Sequence, residues 1–584
     1  MQKVWKIKKK PPKTFLNKYK DYDSLLLQLL YNRKIKSKEQ IEDFLSIDYF
    51  KDVHDPYLLS GMKRAVSRIN KAIKNKEKIA IFGDYDADGV CSSTIINDTL
   101  KRLGSVPLIH IPDRRKGYGM NKKAIEKLAD SGVSLIITVD CGASDREEVD
   151  MAKKLNIDVI ITDHHLFASS VPKAYAILNP RKKNCSYPNK ELSGAGVAFK
   201  LATALIKSHP EEFKEGEERW LLDLVAIATI ADLMNLIGEN RTLVKYGLLV
   251  LAKTKRLGLK ALLETAGIKE VKIDWINKKD NRFLVRGIDA YTIGYIIGPR
   301  LNAAGRMDHA NRAFYLLNTQ SKTEARNLAK ELNRKNQRRQ KIQADIIEKI
   351  KKTLTEKELS EKRLIIRGDK SYPKGIVGLI SGKLTDQYYL PSFIYQKENG
   401  SCRGSCRSIP GLNIVEILKK CSSCLTTFGG HKGAAGFSFK AKNQTKFKLC
   451  LEKTIKESLG KKVLRPQIEI DACLNFREIT PSLKKTLEEL EPFGQGNAEP
   501  IFVIKKALIV EIRKIGKKKN HLLLTLKKVE KKKDSYLRAL VFKGAASTEG
   551  LEPKKTYDFA FTPLFDEWKG RKKVTLKIID WKLN

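Results

Sequence analysis

The sequence lacks an apolar run long enough to suggest a membrane span. Its most apolar segment, residues 221–237, contains Asp223 and Asp232, and carboxylates without partners are costly in lipid. The first residues, MQKVWKIKKKPPK, are basic but lack the apolar stretch of a signal peptide. A cytoplasmic protein without a membrane association is therefore expected.

Cysteine is also sparse in a chain of this length. The nine cysteines are an odd number and show none of the spacings of small disulfide-rich scaffolds. Reduced thiols are therefore predicted in preference to a disulfide framework.

Acidic residues are far outnumbered by basic ones. The 584 residues contain 113 Lys and Arg against 67 Asp and Glu, a formal net charge of +46, while 42% of the residues are hydrophobic. This apolar content excludes wholesale disorder, and the length indicates three to four domains. The charge favours a polyanionic partner, with nucleic acid first and an anionic membrane surface second. A third interpretation is that many of these lysines are solvated and bind nothing.

Residues 78–178 show short apolar runs that alternate with amphipathic helical patterns. The runs include KIAIF, LIITV and DVIIT, each followed by a helical segment or a loop. Strands separated by single helices imply right-handed crossovers, so a parallel, doubly wound α/β sheet is predicted.

The rest of the chain divides by its residue patterns into further units. We predict a helical lead-in at 1–75, a catalytic domain at 76–320 with a mostly helical second half, and a connecting helix at 321–356. A smaller α/β domain is expected at 357–457. The β-type runs of 458–584 suit a small barrel, of which the oligonucleotide-binding (OB) type is one option.

Acidic and histidine residues follow the predicted strands of the first sheet. The first strand runs into Asp84, Asp86 and Asp88, a later one into Asp140, and the next into Asp163, His164 and His165. Ligands of parallel sheets bind at the carboxyl ends of strands. A further carboxylate, Asp232, interrupts an apolar helical segment and needs a partner there. Such a set suits Mn²⁺ or Mg²⁺, and two ions would suit an in-line phosphoryl displacement.

These motifs, DYDADG, VDCG, DHH and TIAD, resemble those of the DHH phosphoesterase superfamily. Further segments resemble the bacterial RecJ-type single-strand-specific exonucleases, and the similarity extends from about residue 50 to the end. They are IPDRRKGYG at 111–119, SGAGVAFK at 193–200, GPRLNAAGRM at 298–307, RGSCRSIPGLNI at 403–414, GGHKGAAGF at 429–437 and EPFGQGNAEPIF at 491–502.

The resemblance implies a parallel-sheet DHH domain, a DHHA1-type domain that grips substrate, and an OB-like barrel. It implies metal ligation by Asp86, Asp88, Asp140, His164 and Asp232. It places His165 close to the scissile phosphate and Asp84 beside the metals. The nucleic-acid contacts expected are Arg114, Tyr118, Arg300, Asn302, Arg306, Arg403, Arg407, Ser408, Gly430 and His431. For the segment at 298–307, helix packing with solvated arginines is the alternative.

Four cysteines have a spacing that resembles a zinc ribbon: Cys402, Cys406, Cys421 and Cys424. The first pair lies in the RGSxRSI segment and the second at the end of a predicted helix. Incidental thiols are therefore favoured over structural zinc.

The function predicted is a metal-dependent 5′→3′ exonuclease on single-stranded DNA that releases 5′-mononucleotides in DNA repair and recombination. Its polarity and DNA preference come from the resemblance alone. One alternative is a phosphoesterase for short oligonucleotides or cyclic dinucleotides, and another is an inactive single-strand-binding protein. A monomer is expected, with single-stranded DNA as partner and a single-strand-binding protein and a helicase as candidate partners.

Overall fold

The computed structural model describes residues 3–113, 119–167, 170–277, 282–307, 310–356, 358–460, 464–528, 534–542, 550–568 and 571–584. Arg114 and Tyr118, which the sequence suggests as nucleic-acid contacts, lie outside the described residues. Among the residues described, no helix combines the length and apolar character that crossing a bilayer requires.

The N-terminal segment is divided between two parts of the molecule. Its elements are β1 (Val4–Ile7), α1 (Lys13–Lys18), α2 (Ser24–Asn32), α3 (Lys38–Leu45), α4 (Tyr49–Asp52) and α5 (Met62–Lys74). Leu29, Leu30 and Ile41 pack into the core of the C-terminal barrel, whereas Ala65 and Ile69 of α5 pack into the core of the first α/β domain. The domain boundaries drawn from the sequence stay a prediction.

The parallel sheet predicted for residues 78–178 is present. Its elements are β2 (Lys78–Gly83), α6 (Ala87–Arg102), β3 (Leu108–His110), α7 (Lys122–Asp130), β4 (Val133–Val139), α8 (Arg146–Lys154), β5 (Asp158–Thr162) and β6 (Ala176–Leu178). The strand order is β3-β2-β4-β5-β6 and every pair is parallel. All carboxyl ends therefore meet at one edge.

The second half of the first domain is mostly helical. It contains α9 (Gly194–Lys207), α10 (Leu222–Ala231), α11 (Gly238–Ala252), α12 (Leu257–Thr265), β7 (Lys272–Asn277), β8 (Arg282–Arg286), α13 (Gly298–Met307) and α14 (Asn311–Asn318). A π-helical turn, Thr292–Ile297, leads directly into α13. The antiparallel pair β7 and β8 was not predicted from the sequence.

A long helix, α15 (Lys322–Thr353), connects this domain to the second one, as the sequence predicts. The second domain contains β9 (Ile365–Asp369), α16 (Val377–Tyr388), β10 (Ser392–Glu398), β11 (Ser401–Arg407), α17 (Ile414–Lys420), β12 (Thr427–His431), β13 (Ala434–Lys440) and α18 (Gln444–Leu459). Its sheet has the order β12-β13-β11-β10-β9, and only β9 and β10 are parallel.

The C-terminal part forms a closed barrel. The approach to it contains β14 (Gln467–Ile470), β15 (Ala472–Cys473) and α19 (Ser482–Glu488); the barrel strands are β16 (Phe502–Ile515), β17 (His521–Lys528), β18 (Ser535–Val541), β19 (Thr556–Trp568) and β20 (Arg571–Leu583). The sheet closes because β16 pairs with both β17 and β19. Phe502, Phe559 and Phe561 fill the interior. The first strand of the chain also lies here, since β1 pairs with β14 and Trp5 Nε1 donates to Asp580 of β20 at 2.7 Å.

The cysteines depart in one respect from the sequence prediction. Cys421 and Cys450 form a disulfide between the end of α17 and α18, whereas the other seven cysteines are free. The separation of 29 residues between Cys421 and Cys450 did not indicate a disulfide in the sequence, because the contact depends on how α17 packs against α18. Cys402 and Cys406 are buried in β11, and no metal-capable cluster among the described residues contains a cysteine. The preference against a zinc ribbon stays a prediction.

Candidate metal centre and nucleic-acid interface

The acidic and histidine residues predicted from the strand ends lie together at one edge of the first sheet. Three overlapping groups have ligand atoms within 4.8 Å of one another: Asp84, Asp86 and Asp140; Asp140, His164 and His165; and Asp88, His164 and Asp232. The groups share Asp140 and His164, so they form one continuous cluster.

His164 lies at the centre of this cluster. Its Nε2 atom is 3.1 Å from Asp140 Oδ1, 3.6 Å from Asp232 Oδ2 and 3.9 Å from Asp88 Oδ2. Neither imidazole nitrogen makes a hydrogen bond of good geometry with a described residue, although the ring is buried. A buried imidazole surrounded by carboxylate oxygens is an arrangement that a cation completes.

The backbone around the cluster orients its carboxylates. Asp86 caps α6, and its Oδ1 accepts from the N–H groups of Asp88 and Gly89 at 2.9 and 3.1 Å. Asp88 is held by the first turn of α9, whose Gly194 and Ala195 N–H groups donate to its carboxylate at 2.8 and 2.6 Å. The N-terminus of α9 thus stabilises the negative charge of a buried side chain.

Asp140 and Asp232 occupy unusual backbone positions. Asp140 has a left-handed φ of 60°, which is uncommon for a residue with a side chain. Strained backbone of this kind is concentrated at functional sites. Asp232 ends α10 as its C-cap and is followed by Leu233, whose φ is 58°. The helix therefore stops where its carboxylate reaches the cluster.

The electrostatics of the cluster favour a bound cation. Burial, followed by the charge of neighbouring aspartates, raises the pKa of Asp88, Asp140 and Asp232 above the usual range of a carboxyl group. Burial also lowers the pKa of His164, and the charge of His165 lowers it further. A divalent ion would offset the repulsion between these carboxylates.

Asp163 has a role that the sequence did not reveal. Burial opposes protonation of His165, but a hydrogen bond to Asp163 Oδ1 at 2.8 Å and the charge of that carboxylate raise the pKa of His165 to about 9. Asp163 also accepts from the backbone N–H groups of Ala143, His164 and His165. It therefore orients His165 and favours its protonated form, whereas burial favours the neutral form of the adjacent His164.

The donor set fits Mn²⁺ or Mg²⁺. Carboxylate oxygens with one neutral imidazole are ligands of hard divalent cations, and no thiolate lies in the cluster. The metal prediction agrees with both the geometry and the charge of the described residues.

A cationic cleft of about 620 Å³ lies between the first domain and the second. Its walls include Tyr85, Arg306, Arg403, Arg407 and Phe428, and none of the described residues that line it is acidic. Tyr85 lies between two residues of the metal cluster, so the cleft begins beside the metal centre. A cleft of this charge suits phosphates.

The predicted nucleic-acid contacts differ in how they relate to this cleft. Arg306, Arg403 and Arg407 line it, and Nη1 of Arg306 also donates to the carbonyl of Gly375 across the domain boundary at 3.0 Å. Gly430 and His431 lie in β12, the strand whose preceding residues Thr427–Gly429 line the same cleft.

Three other predicted contacts have partners within the protein. The side-chain oxygen of Asn302 accepts from the N–H of Ala87 at 2.8 Å and so holds the loop that carries Asp86 and Asp88. Arg300 donates to Asn333 on α15, and Ser408 donates to the carbonyl of Leu412. These contacts give the three side chains a positioning role whether or not they also touch DNA.

Family comparisons match three parts of the chain. Residues 78–229 match the DHH family, N-terminal domain, residues 361–457 match the DHHA1 domain, and residues 470–580 match the RecJ OB domain. Together with the closed barrel, these matches confirm the predicted architecture.

Relatives match over most of the chain. The single-stranded-DNA-specific exonuclease RecJ of Bacillus subtilis is 36% identical over 559 residues, covering 95% of this chain and 67% of that protein. The protein of the same name from Haemophilus influenzae is 34% identical over 523 residues, covering 86% of each. The crystal structure of RecJ in complex with Mn²⁺ from Thermus thermophilus has a TM-score of 0.81 at 26% identity, covering 100% of this chain and 80% of that chain. The chain belongs to the RecJ exonuclease family.

Proposed function

We propose that this protein hydrolyses phosphodiester bonds of single-stranded DNA as an exonuclease that depends on Mn²⁺ or Mg²⁺. The observation that carries the proposal is the cluster of strand-end carboxylates around His164, which opens into a cationic cleft. The membership of the RecJ family supports the same activity.

The cluster residues have distinct proposed roles. Asp86, Asp88, Asp140, His164 and Asp232 would hold two divalent ions, and Asp84 would support them from the first strand. Bound there, the ions would supply Lewis-acid chemistry for activation of the attacking water and for stabilisation of charge on the departing oxygen.

His165 is suited to contact the substrate. Its Nδ1 is bonded to Asp163, and its side chain is 38% exposed, in contrast to the buried ring of His164. A protonated imidazole in this position carries a positive charge at the mouth of the cluster. We assign it to the phosphate under attack, where it stabilises the negative charge that develops.

The polarity proposed is 5′→3′ with release of 5′-mononucleotides. Water attacks the phosphorus between the first and second nucleotides, the bond from phosphorus to the 3′-oxygen of the first nucleotide breaks, and the shortened strand keeps the phosphate at its new 5′ end. Arg306, Arg403 and Arg407 would bind the terminal nucleotide through its phosphate, and Gly430 and His431 would support that end of the cleft.

Digestion of end-labelled single strands tests this proposal. We expect a 5′ label to appear as mononucleotide at the earliest times with Mn²⁺ or Mg²⁺, and duplex and RNA strands to persist. Asp140→Asn should lower the rate by at least about 100-fold, whereas Asp150→Asn, an exposed acid on α8, should stay near wild type. Earliest release of a 3′ label would contradict the polarity, and an active Asp140→Asn variant would contradict the metal site.

The surroundings of the reaction are also proposed. We assign the protein to the cytoplasm as a monomer that acts in DNA repair and recombination, with a single-strand-binding protein and a helicase as partners. Light scattering of the purified chain would test the monomer, and a second subunit at micromolar concentration would contradict it.

A further inference from the structure

Two tyrosines are exposed side by side at the start of the segment that precedes α13. Tyr291 and Tyr295 are 63% and 70% exposed, and their rings stack with centroids 4.8 Å apart and planes at 25°. Aromatic rings with this much exposure leave their faces or edges open to a further planar group.

The turn that carries the tyrosines lies close to the helix that ends at the metal cluster. The turn that carries them packs against the end of α10, because a Cβ added at Gly294 would contact Ile230 at 3.6 Å and one added at Gly298 would contact Ala231 at 3.2 Å. Asp232 of the metal cluster follows Ala231 directly. The turn that carries the tyrosines therefore packs against the end of the helix that leads into the metal cluster.

An aromatic cleft of about 690 Å³ opens in front of both rings, between the first domain and the barrel. Leu233, which follows Asp232 and is 71% exposed, lines it, and so does Phe565 of the barrel strand β19. The cleft thus runs from the last ligand of the metal cluster to the barrel.

The charges that line the aromatic cleft are largely neutralised within the protein. Arg286 pairs with Asp274 at 3.0 Å and with Glu488 at 2.6 Å, and Lys484 lies 3.7 Å from Glu488. Lys245, Asp289, Glu491 and Glu499 also line it, so the charged residues of the lining are three basic and four acidic. Without an excess of basic groups these walls are poorly suited to collect phosphates, whereas their aromatic rings fit the uncharged faces of nucleobases.

We propose that Tyr291 and Tyr295 form a stacking platform for bases of single-stranded DNA on the downstream side of the scissile phosphate. This inference rests on the proposed exonuclease function, and it names the part of the substrate that the aromatic cleft receives. The cationic cleft takes the terminal phosphate, and the aromatic cleft takes bases of the strand that continues toward the barrel. Stacking accepts any base, so the platform would bind DNA without reading its sequence.

An alternative explanation is that the pair only stabilises its own helical turn, as aromatic residues four apart often do. The two explanations differ in one measurable property. A platform makes the protein sensitive to the presence of a base at a fixed distance from the cleaved bond, whereas a helix-stabilising pair does not.

The test compares intact strands with strands that lack bases. Twenty-nucleotide 5′-phosphorylated strands carry a window of two adjacent abasic residues, placed in turn at positions 2 to 10, and single-turnover cleavage with Mn²⁺ gives the Kd for each. We expect one window to weaken wild-type binding by about tenfold, which corresponds to stacking of about one base. The Tyr291→Ala/Tyr295→Ala variant should bind the intact strand about tenfold more weakly and show no further loss at that window.

Two control variants distinguish the loss of the aromatic rings from other effects of substitution. Tyr291→Phe/Tyr295→Phe keeps both rings and should retain the abasic sensitivity. Tyr315→Ala removes another exposed tyrosine, on α14, and should behave as wild type.

The inference is overturned if the double alanine variant binds the intact strand as wild type does, or if it keeps the wild-type loss at the abasic window. Failure of the proposed function would look different, because the wild-type protein would then release no nucleotide from any strand in the same assay.

Discussion

The substitution Gly194→Ala tests the metal centre without altering a ligand. Gly194 begins α9, and its N–H donates to the carboxylate of Asp88 at 2.8 Å. A Cβ added at this glycine would lie 2.6 Å from both the Cβ and the Oδ1 atoms of Asp140. A single methyl group would therefore intrude between two of the side chains assigned to the metals.

The size of the expected loss in cleavage rate depends on how little the atoms around Gly194 can move. An ordinary contact begins at 3.4 Å, so Asp140 or α9 must shift by nearly 1 Å. Asp140 is 2% exposed and its N–H is bonded to the carbonyl of Thr162, while the residues of α9 up to Ile206 are all buried. A displacement of about 1 Å in a catalytic site costs roughly 100-fold in rate, and we expect that loss here.

The assay is nucleotide release from a 5′-labelled strand over a Mn²⁺ titration. Gly194→Ala should need more Mn²⁺ and should stay about 100-fold slower at saturation, with an unchanged circular dichroism spectrum. Gly196→Ala is the matched control, because the three atoms nearest its added Cβ are Cδ2 and Cβ of Leu192 at 3.2 and 3.3 Å and Oγ of Ser193 at 3.6 Å, and none belongs to a carboxylate of the cluster. A Gly194→Ala rate within about threefold of wild type, at an unchanged Mn²⁺ requirement, would refute this account of the ligand geometry.

Three further outcomes are expected. Chelation with EDTA should stop nucleotide release, and added Mn²⁺ should restore it. Mn²⁺ should also raise the melting temperature, because the ion binds only the folded carboxylate cluster. A melting temperature that does not change with Mn²⁺ would argue against the site. Lys200→Met should lower the apparent free energy of unfolding by about 3–5 kcal/mol in urea, since it removes the ion-pair partner of the buried Glu239 at 2.7 Å. Full retention of stability would contradict a stabilising role of this buried pair. Cys421→Ser should destabilise the oxidised protein by about 3–4 kcal/mol, because it removes the disulfide to Cys450 that closes a loop. Cys473→Ser, at an exposed free thiol, should leave the stability unchanged. Equal stability of the two variants would mean that the disulfide does not form.

The strand-end part of the metal centre could be predicted from the sequence because it depends on local rules. Apolar runs mark buried strands, parallel topology places their carboxyl ends at one edge, and the residues that follow the runs must meet there. Asp84, Asp140 and His164 all follow this logic, and the structure brings them together.

The remainder of the site depends on long-range packing that a residue pattern does not carry. The apolar pattern around Asp232 continues past it, so the sequence placed this carboxylate within a helix, whereas α10 ends at Ala231. The motif that contains Asn302 was recognised, but its partner is the backbone of Ala87, which lies 215 residues away. Such contacts become visible only when the helices are placed against each other.

The difference between the two adjacent histidines also could not be predicted from the residue pattern. His164 and His165 are identical in type and adjacent in sequence, and a strand-end rule gives them the same role. Their difference arises because Asp163 accepts a hydrogen bond from only one of the two rings, while the other is buried against carboxylates. This difference supports the two roles proposed for them, His164 as a metal ligand and His165 as a contact to phosphate.

The width of the aromatic cleft depends on contacts between the first domain and the segment that leads into the barrel. Arg241, 3% exposed, donates from Nη2 to the carbonyls of Glu489 and Glu491 at 3.2 and 2.8 Å and from Nη1 to the carbonyl of Phe44. The N–H of Leu236 donates to the carbonyl of Gln495 at 2.7 Å. These bonds fix the segment that leads into the barrel against the first domain, so the aromatic cleft has its width before DNA arrives.

A preformed cleft changes what the charge of +46 contributes to binding. The lysines can draw a strand to the surface from any direction, but a diffuse field does not align a phosphate with the metal centre. We expect alignment to depend on the spacing between the metal cluster and the two clefts, because groups that are already ordered by folding lose little entropy on binding. Raised salt should therefore weaken capture of the strand steeply while leaving the single-turnover cleavage rate of bound strand nearly constant.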